Sequence, residues 1–168
     1  PGPLLQTGEP LDLAIGGDGY YMVEGTDGET LYTRDGKFRS VAADGVSYLA
    51  TTGGRFVLDG QGRRISAARP LDGADVDETG RITLDGTFVA DLGIRRFPRP
   101  SALEAAGSLM WRATDASGAA APATDGYTVT QGFVEGSNVD LGDEMTILFP
   151  DIVILVTDLF PVLIQEID

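Results

Sequence analysis

Leu11, Leu13 and Ile15 alternate with Asp12 and Ala14, a period-two pattern that predicts a β-strand with one buried face. Further stretches of β-forming residues follow at Tyr20 to Val23, Thr30 to Thr33, Lys37 to Val41, Ser47 to Ala50 and Arg55 to Leu58. Asp-Gly pairs punctuate them, with aspartates at 18, 27, 35, 44, 59, 72, 85 and 125, the first four eight or nine residues apart. That is the spacing of short strands joined by tight turns. Glycine accepts the positive φ such turns need, and the aspartate carboxylate accepts a hydrogen bond from the turn's own backbone. Residues 11–92 are therefore predicted to form an antiparallel β domain.

The rhythm changes after residue 97. Ser101 and Glu104 form an S-x-x-E capping box and Gly107 suits the position past a helix end, which predicts a short helix of one or two turns. A strand is expected over 108–114, a loop over 115–126 and a strand over 127–134, with residues 135–145 leading toward a terminal helix. Beyond that, Met145, Leu148, Ile152, Leu155, Leu159 and Val162 follow a three-four spacing like a coiled-coil seam. Almost every other position there is apolar too, Pro150 and Pro161 interrupt a helix, and Asp151 to Val156 is rich in β-branched residues. A membrane span is disfavoured, since Asp151 and Asp158 would each cost roughly 2.5–3.5 kcal/mol at mid-bilayer. The segment is read as helical or as buried against a partner. The division is a lead-in over 1–10, a β-rich domain over 11–140 and an apolar segment over 141–168. The fold class is mainly β, an antiparallel domain with a short helix.

Composition narrows the chemistry. Among 168 residues, 26 acidic side chains face 12 basic ones, a formal net charge of -14, which argues against nucleic acid and anionic membrane surfaces as partners. Histidine and cysteine are absent and Lys37 is the one lysine. The commonest general base, the thiolate nucleophile and cysteine-ligated metals are thereby excluded. No cofactor, metal or small-molecule substrate is expected. The opening PGPLLQTGEP lacks a basic region followed by an apolar run and an initiator methionine, so neither a secretory signal peptide nor a natural start is expected in it.

Four candidate sites remain. Gly16, Gly17, Asp18 and Gly19 could cradle a phosphate, but a phosphate loop needs Gly-Lys-Ser/Thr and a helix behind it, whereas Tyr20, Tyr21, Met22 and Val23 follow. They are read as a structural turn closing a hairpin between Leu11–Ile15 and Tyr20–Val23. On that reading Gly19 needs a positive φ, and Gly19→Val should cost about 1–3 kcal/mol. Asp75, Asp77 and Glu78 cluster as calcium ligands do, yet miss the D-x-[DN]-x-[DN]-G pattern. With 26 acids some hydrolase-like carboxylate pair is always available, which makes that signal uninformative. Trp111 and the tyrosines could stack on sugars but are read as core. A β-rich carbohydrate- or ligand-binding module stands as the alternative function.

Four strings, in order, carry a family resemblance: TGEPLDLAIGGDGYYMV (Thr7 to Val23), LYTRDGKF (Leu31 to Phe38), LEAAGSLMWRAT (Leu103 to Thr114) and VTQGFVEGSNVD (Val129 to Asp140). Over about residues 4–146 the chain resembles the bacterial flagellar basal-body rod and hook proteins. The resemblance implies a structural subunit and not an enzyme. It implies a protein exported through the flagellar type III apparatus that polymerises helically with copies of itself and with neighbouring rod or hook subunits to transmit torque across the periplasm for motility. It places a β domain outside paired terminal helices, and makes Ser137, Asn138 and Val139 the passage toward the C-terminal helix. With Glu144, Met145 and Leu148 these form the candidate assembly interface. Two departures stand out: the family's long N-terminal helix is absent from this sequence, and its polar C-terminal helix is replaced by the apolar, proline-bearing run after Met145. The compact length between the two most specific motifs favours rod over hook, with a lean to the proximal rod.

Overall fold

The computed structural model describes residues 2–136. Its first strands are β1 (Leu4–Gln6), β2 (Leu13–Gly17), β3 (Tyr20–Glu24), β4 (Thr30–Thr33), β5 (Phe38–Ala43), β6 (Val46–Thr51), β7 (Ser66–Ala67) and β8 (Ala74–Val76). They continue with β9 (Arg81–Leu84), β10 (Thr87–Asp91), β11 (Ile94–Arg96), β12 (Glu104–Ala105), β13 (Met110–Arg112), β14 (Ala121–Pro122), β15 (Tyr127–Gln131) and β16 (Phe133–Glu135). The largest sheet has the order β12-β13-β4-β3-β11-β14; two three-stranded sheets, β10-β9-β8 and β5-β6-β7, and two ribbons, β2 with β15 and β1 with β16, complete the set. The named pairs run antiparallel. The mainly β, antiparallel architecture is the one the alternation predicts.

Asp-Gly makes hairpin turns where both residues take left-handed backbone. Asp44 and Gly45 (φ 51° and 76°) join β5 to β6, and Asp85 and Gly86 (φ 50° and 77°) join β9 to β10, the mirror-image turn that matches strand twist. At Asp59 the carboxylate accepts from the Gln61 and Arg63 N–H groups instead, organising a loop. The stretch Arg55 to Leu58 makes only single-residue bridges, Phe56 with Ala50, Val57 with Val23 and Leu58 with Arg64, because it divides its backbone bonds among three neighbours.

Alternation along β3 feeds two cores. Tyr21 and Val23 point into the main cluster with Leu13, Ile15, Leu49 and Ile65. Met22 points into a second cluster with Tyr32, Leu58, Phe97 and Leu103. A strand covered on both faces reads as a continuous apolar run, which is why 20–23 shows no polar alternation. Tyr21 is fully buried, and its hydroxyl donates to the Leu13 carbonyl at 2.7 Å while its ring meets Phe38 edge-on at 5.0 Å.

The helix expected from the capping box is one 3-10 turn, Pro100–Ala102. Ser101 sits inside it, no side chain caps it, and Glu104 lies in β12 opposite Arg112. The pairing of β12 with β13 outcompetes a second helical turn, whose isolated hydrogen bond would not repay the ordering of three residues. Among the described residues no helix is long and apolar enough to cross a membrane. The segment 141–168 lies outside the described residues.

Candidate functional site

The hairpin expected at Gly16 to Gly19 does not form. Ile15 pairs with Val129 of β15, whereas Tyr21 pairs with Thr33 of β4 and Ile94 of β11, so the chain crosses from one sheet to another at this point. The reason lies in Arg34, just past β4. Its Nη1 donates to the carbonyls of Gly17 (3.1 Å) and Gly19 (2.8 Å), and its Nη2 to that of Ile15 (2.8 Å). Those carbonyls face one guanidinium and are therefore turned away from a strand on the other side.

Gly17, and not Gly19, carries the positive φ, at 82°; a Cβ there would run into the Gly126 carbonyl. The limit at Gly19 is space, since its Cβ would lie 2.8 Å from Cγ2 of Ile94. Asp18 is exposed at the bend between them.

The same arginine reaches the other end of the domain. Arg34 Nε donates to Oε2 of Glu135 at 2.6 Å, with the two side chains 20% and 15% exposed. Glu135 Oε1 accepts from the Gly2 N–H at 2.6 Å, and the Gly136 N–H donates to the Pro3 carbonyl at 2.7 Å. Four of the five guanidinium N–H groups are thus committed to acceptors of the chain itself. Such a group is a clasp and not a substrate-binding arginine. It ties Ile15, Gly17 and Gly19 of the first string and its own string, LYTRDGKF, to Glu135, about a hundred residues on.

Gln131 makes a second tie. Its amide donates to the carbonyls of Pro10 (2.7 Å) and Ala74 (2.8 Å) and accepts from the Val76 N–H (3.2 Å). In the LEAAGSLMWRAT string, Thr114 Oγ1 donates to the Ala102 carbonyl and accepts from the Ser117 N–H. Neither Arg34 nor Gln131 stood out as a site in the sequence, where Arg34 precedes an Asp-Gly pair and Gln131 precedes Gly132. The signal available was a polar residue with long reach inside each specific string.

The remaining candidates disperse. Asp77 Oδ1 accepts from the Thr79 N–H and hydroxyl and from the Arg81 N–H, so its carboxylate organises its own loop. Among the described residues no three acidic side chains gather as metal ligands. Trp111, read as core, is 37% exposed on β13. Ser137, Asn138, Val139, Glu144, Met145 and Leu148 lie outside the described residues.

Residues 14–87 match the family model described as flagellar hook protein FlgE/F/G D1 domain. The flagellar basal-body rod protein FlgG of Bacillus subtilis is 38% identical over 151 residues, covering 83% of this chain and 55% of that protein. FlgG of Agrobacterium fabrum is 36% identical over 157 residues (86% and 56%). The flagellar basal-body rod protein FlgF of Caulobacter vibrioides is 35% identical over 145 residues (86% and 57%). The chain spans little more than half the length of these relatives. Its strings, its β domain and these relatives together place the chain in the family of flagellar basal-body rod and hook proteins.

Proposed function

We propose that this chain is a structural subunit of the bacterial flagellar basal-body rod, working by self-assembly and carrying no catalytic step. The observation behind this reading is that relatives named as rod proteins align along more than four fifths of the chain. The Arg34 clasp supports it, because a guanidinium with four of its five N–H groups held by the chain's own carbonyls and Glu135 serves rigidity. A subunit that bears load in a periplasm-spanning tube needs a domain whose two ends are fixed to its body. The partners are copies of the chain and adjoining rod or hook subunits, and weak single contacts suffice because each subunit makes several in a helical lattice. Export through the flagellar type III apparatus, rather than by a cleaved signal peptide, belongs to the same reading, as does a role for Ser137, Asn138 and Val139 at the passage out of the β domain.

Purified hook–basal bodies from the source bacterium, digested and analysed by mass spectrometry, should contain peptides of residues 2–136 in the rod fraction. Their absence from that fraction in cells that express the chain would overturn the reading. Cross-linking in the same particles identifies the neighbours and hence the position along the rod.

A further inference from the structure

The two edges of the six-stranded sheet are unlike. At one edge the β12–β13 hairpin turns through Gly107, Ser108 and Leu109, all with positive φ (79°, 49° and 61°). Serine and leucine in left-handed backbone are strained, and the strain is held in place by backbone bonds from Met110 to Gly107 and from Ala106 to Met110 and by the Thr33 hydroxyl on the Leu109 carbonyl. The side chain displayed at this cost is 70% exposed. Trp111, two residues on and inside β13, is 37% exposed, while Met110 between them is buried. Charge near the hairpin is negative on balance: Arg112 is bound in bidentate fashion by Glu29 and also faces Glu104 across the strands.

At the opposite edge, β11 and β14 border a recess of about 500 Å³ lined by Phe88, Leu92, Ile94, Arg95, Pro122 and Tyr127. Phe88 is 56% exposed with the Arg81 guanidinium over its ring at 5.3 Å. Around the recess Arg63 is paired with Asp59 and Arg81 with Asp91. Arg95 donates to the carbonyls of Gly60 and Ile94 and to no carboxylate among the described residues. Three guanidiniums against two carboxylates leave the recess positive in a chain of net charge -14.

We infer that this recess receives the Leu109–Trp111 hairpin of a second copy of the chain. An apolar knob on a negative hairpin meets an aromatic, positive recess, so apolar burial and charge agree on the occupant. The contact joins two different surfaces, which makes it heterologous. Because they lie on opposite edges of one sheet, about 24 Å apart at the usual strand spacing, repetition extends a row and does not close a pair. The inference rests on the assembly reading above and assigns it a pair of surfaces.

The chain has no cysteine, so engineered cysteines report cleanly. In Phe88→Cys/Leu109→Cys protein a short bismaleimide should give a ladder of dimers, trimers and longer species. A mixture of the two single variants should give dimers, and either variant by itself should stay monomeric. Adding Arg95→Glu to the double variant should cut ladder yield about tenfold at a temperature where circular dichroism shows the variant still folded. Only monomer from the double variant, or equal cross-linking of Leu109→Cys with itself, would overturn the inference. Light scattering on the unmodified chain separates the two claims. Growth of particles without a ladder sinks the paired surfaces and leaves assembly standing; neither growth nor ladder sinks both.

Discussion

The Tyr21 hydroxyl is a polar group placed in the main core for one acceptor, the Leu13 carbonyl. Tyr21→Phe leaves that carbonyl without its donor and should cost about 1–3 kcal/mol, read as a lower urea midpoint at unchanged m. Burial pushes the phenol far above the ordinary tyrosine range, with Arg34 opposing and Glu135 adding to the effect. A raised folded pKa gives stability that is full below the unfolded value, about 10, and is lost as pH climbs past it. Thermal melts above pH 10 should therefore decline less steeply in Tyr21→Phe than in the parent protein. At Gly19 the cost is steric: Gly19→Ala should lose about 1–3 kcal/mol. Removing the opposing Cγ2 with Ile94→Ala should make the double variant less destabilised than the sum of the two singles.

Among the elements, the β1–β16 ribbon depends most on a single side chain. Arg34→Ala takes the guanidinium away from Glu135, which keeps its bond from the Gly2 N–H, and from three carbonyls, so a double-mutant cycle with Glu135→Ala should give a coupling of about 1.5–3 kcal/mol, the range of hydrogen bonds to charged groups. Amide exchange at Leu5 and Gln6 should quicken in Arg34→Ala, while Leu49 and Val57 in the main core keep their protection. These elements also show what the sequence could disclose. Strand identity was legible at 11–15, 20–23 and 30–33, because side-chain alternation and Asp-Gly turns are local. Partners distant in sequence were not: β2 is adjacent in sequence to β3 yet pairs with β15, more than a hundred residues on, where a guanidinium gathers three carbonyls. The Ser101–Glu104 box misled for a related reason. A local capping signal was overridden by the cross-strand pairing of Glu104 with Arg112. The clasp itself was hidden because no local pattern couples residue 34 to residue 135.

Across the molecule, several carboxylates are held below their ordinary range. The Arg64 guanidinium does this for Glu24, that of Arg112 for Glu29, and the Thr79 hydroxyl for Asp77. At Asp59 burial pushes upward but is outweighed by the backbone and side chain of Arg63 and the Gln61 N–H. Depressed folded values stabilise above the unfolded carboxylate range, near 4, and that stability is lost as pH falls through the folded values. Melting temperature should thus change little between pH 6 and 8 and fall below about pH 4, a profile that calorimetry would check directly. The ribbon has a further, mechanical consequence. Leu4 lies opposite Glu135 and Gln6 opposite Phe133, so the outer ends of both strands lie side by side. Tension that spreads those ends apart strains one rung at a time, as in opening a zipper. A pull along both strands in the same direction slides neither past the other, so the rungs between them stay unloaded and the force passes to the ribbon's ties to the body, the Arg34–Glu135 clasp among them. The domain should therefore be stiff toward thrust and traction delivered through both strands, and weak toward peeling, a contrast that optical-trap pulling from residue pairs chosen along each direction would measure.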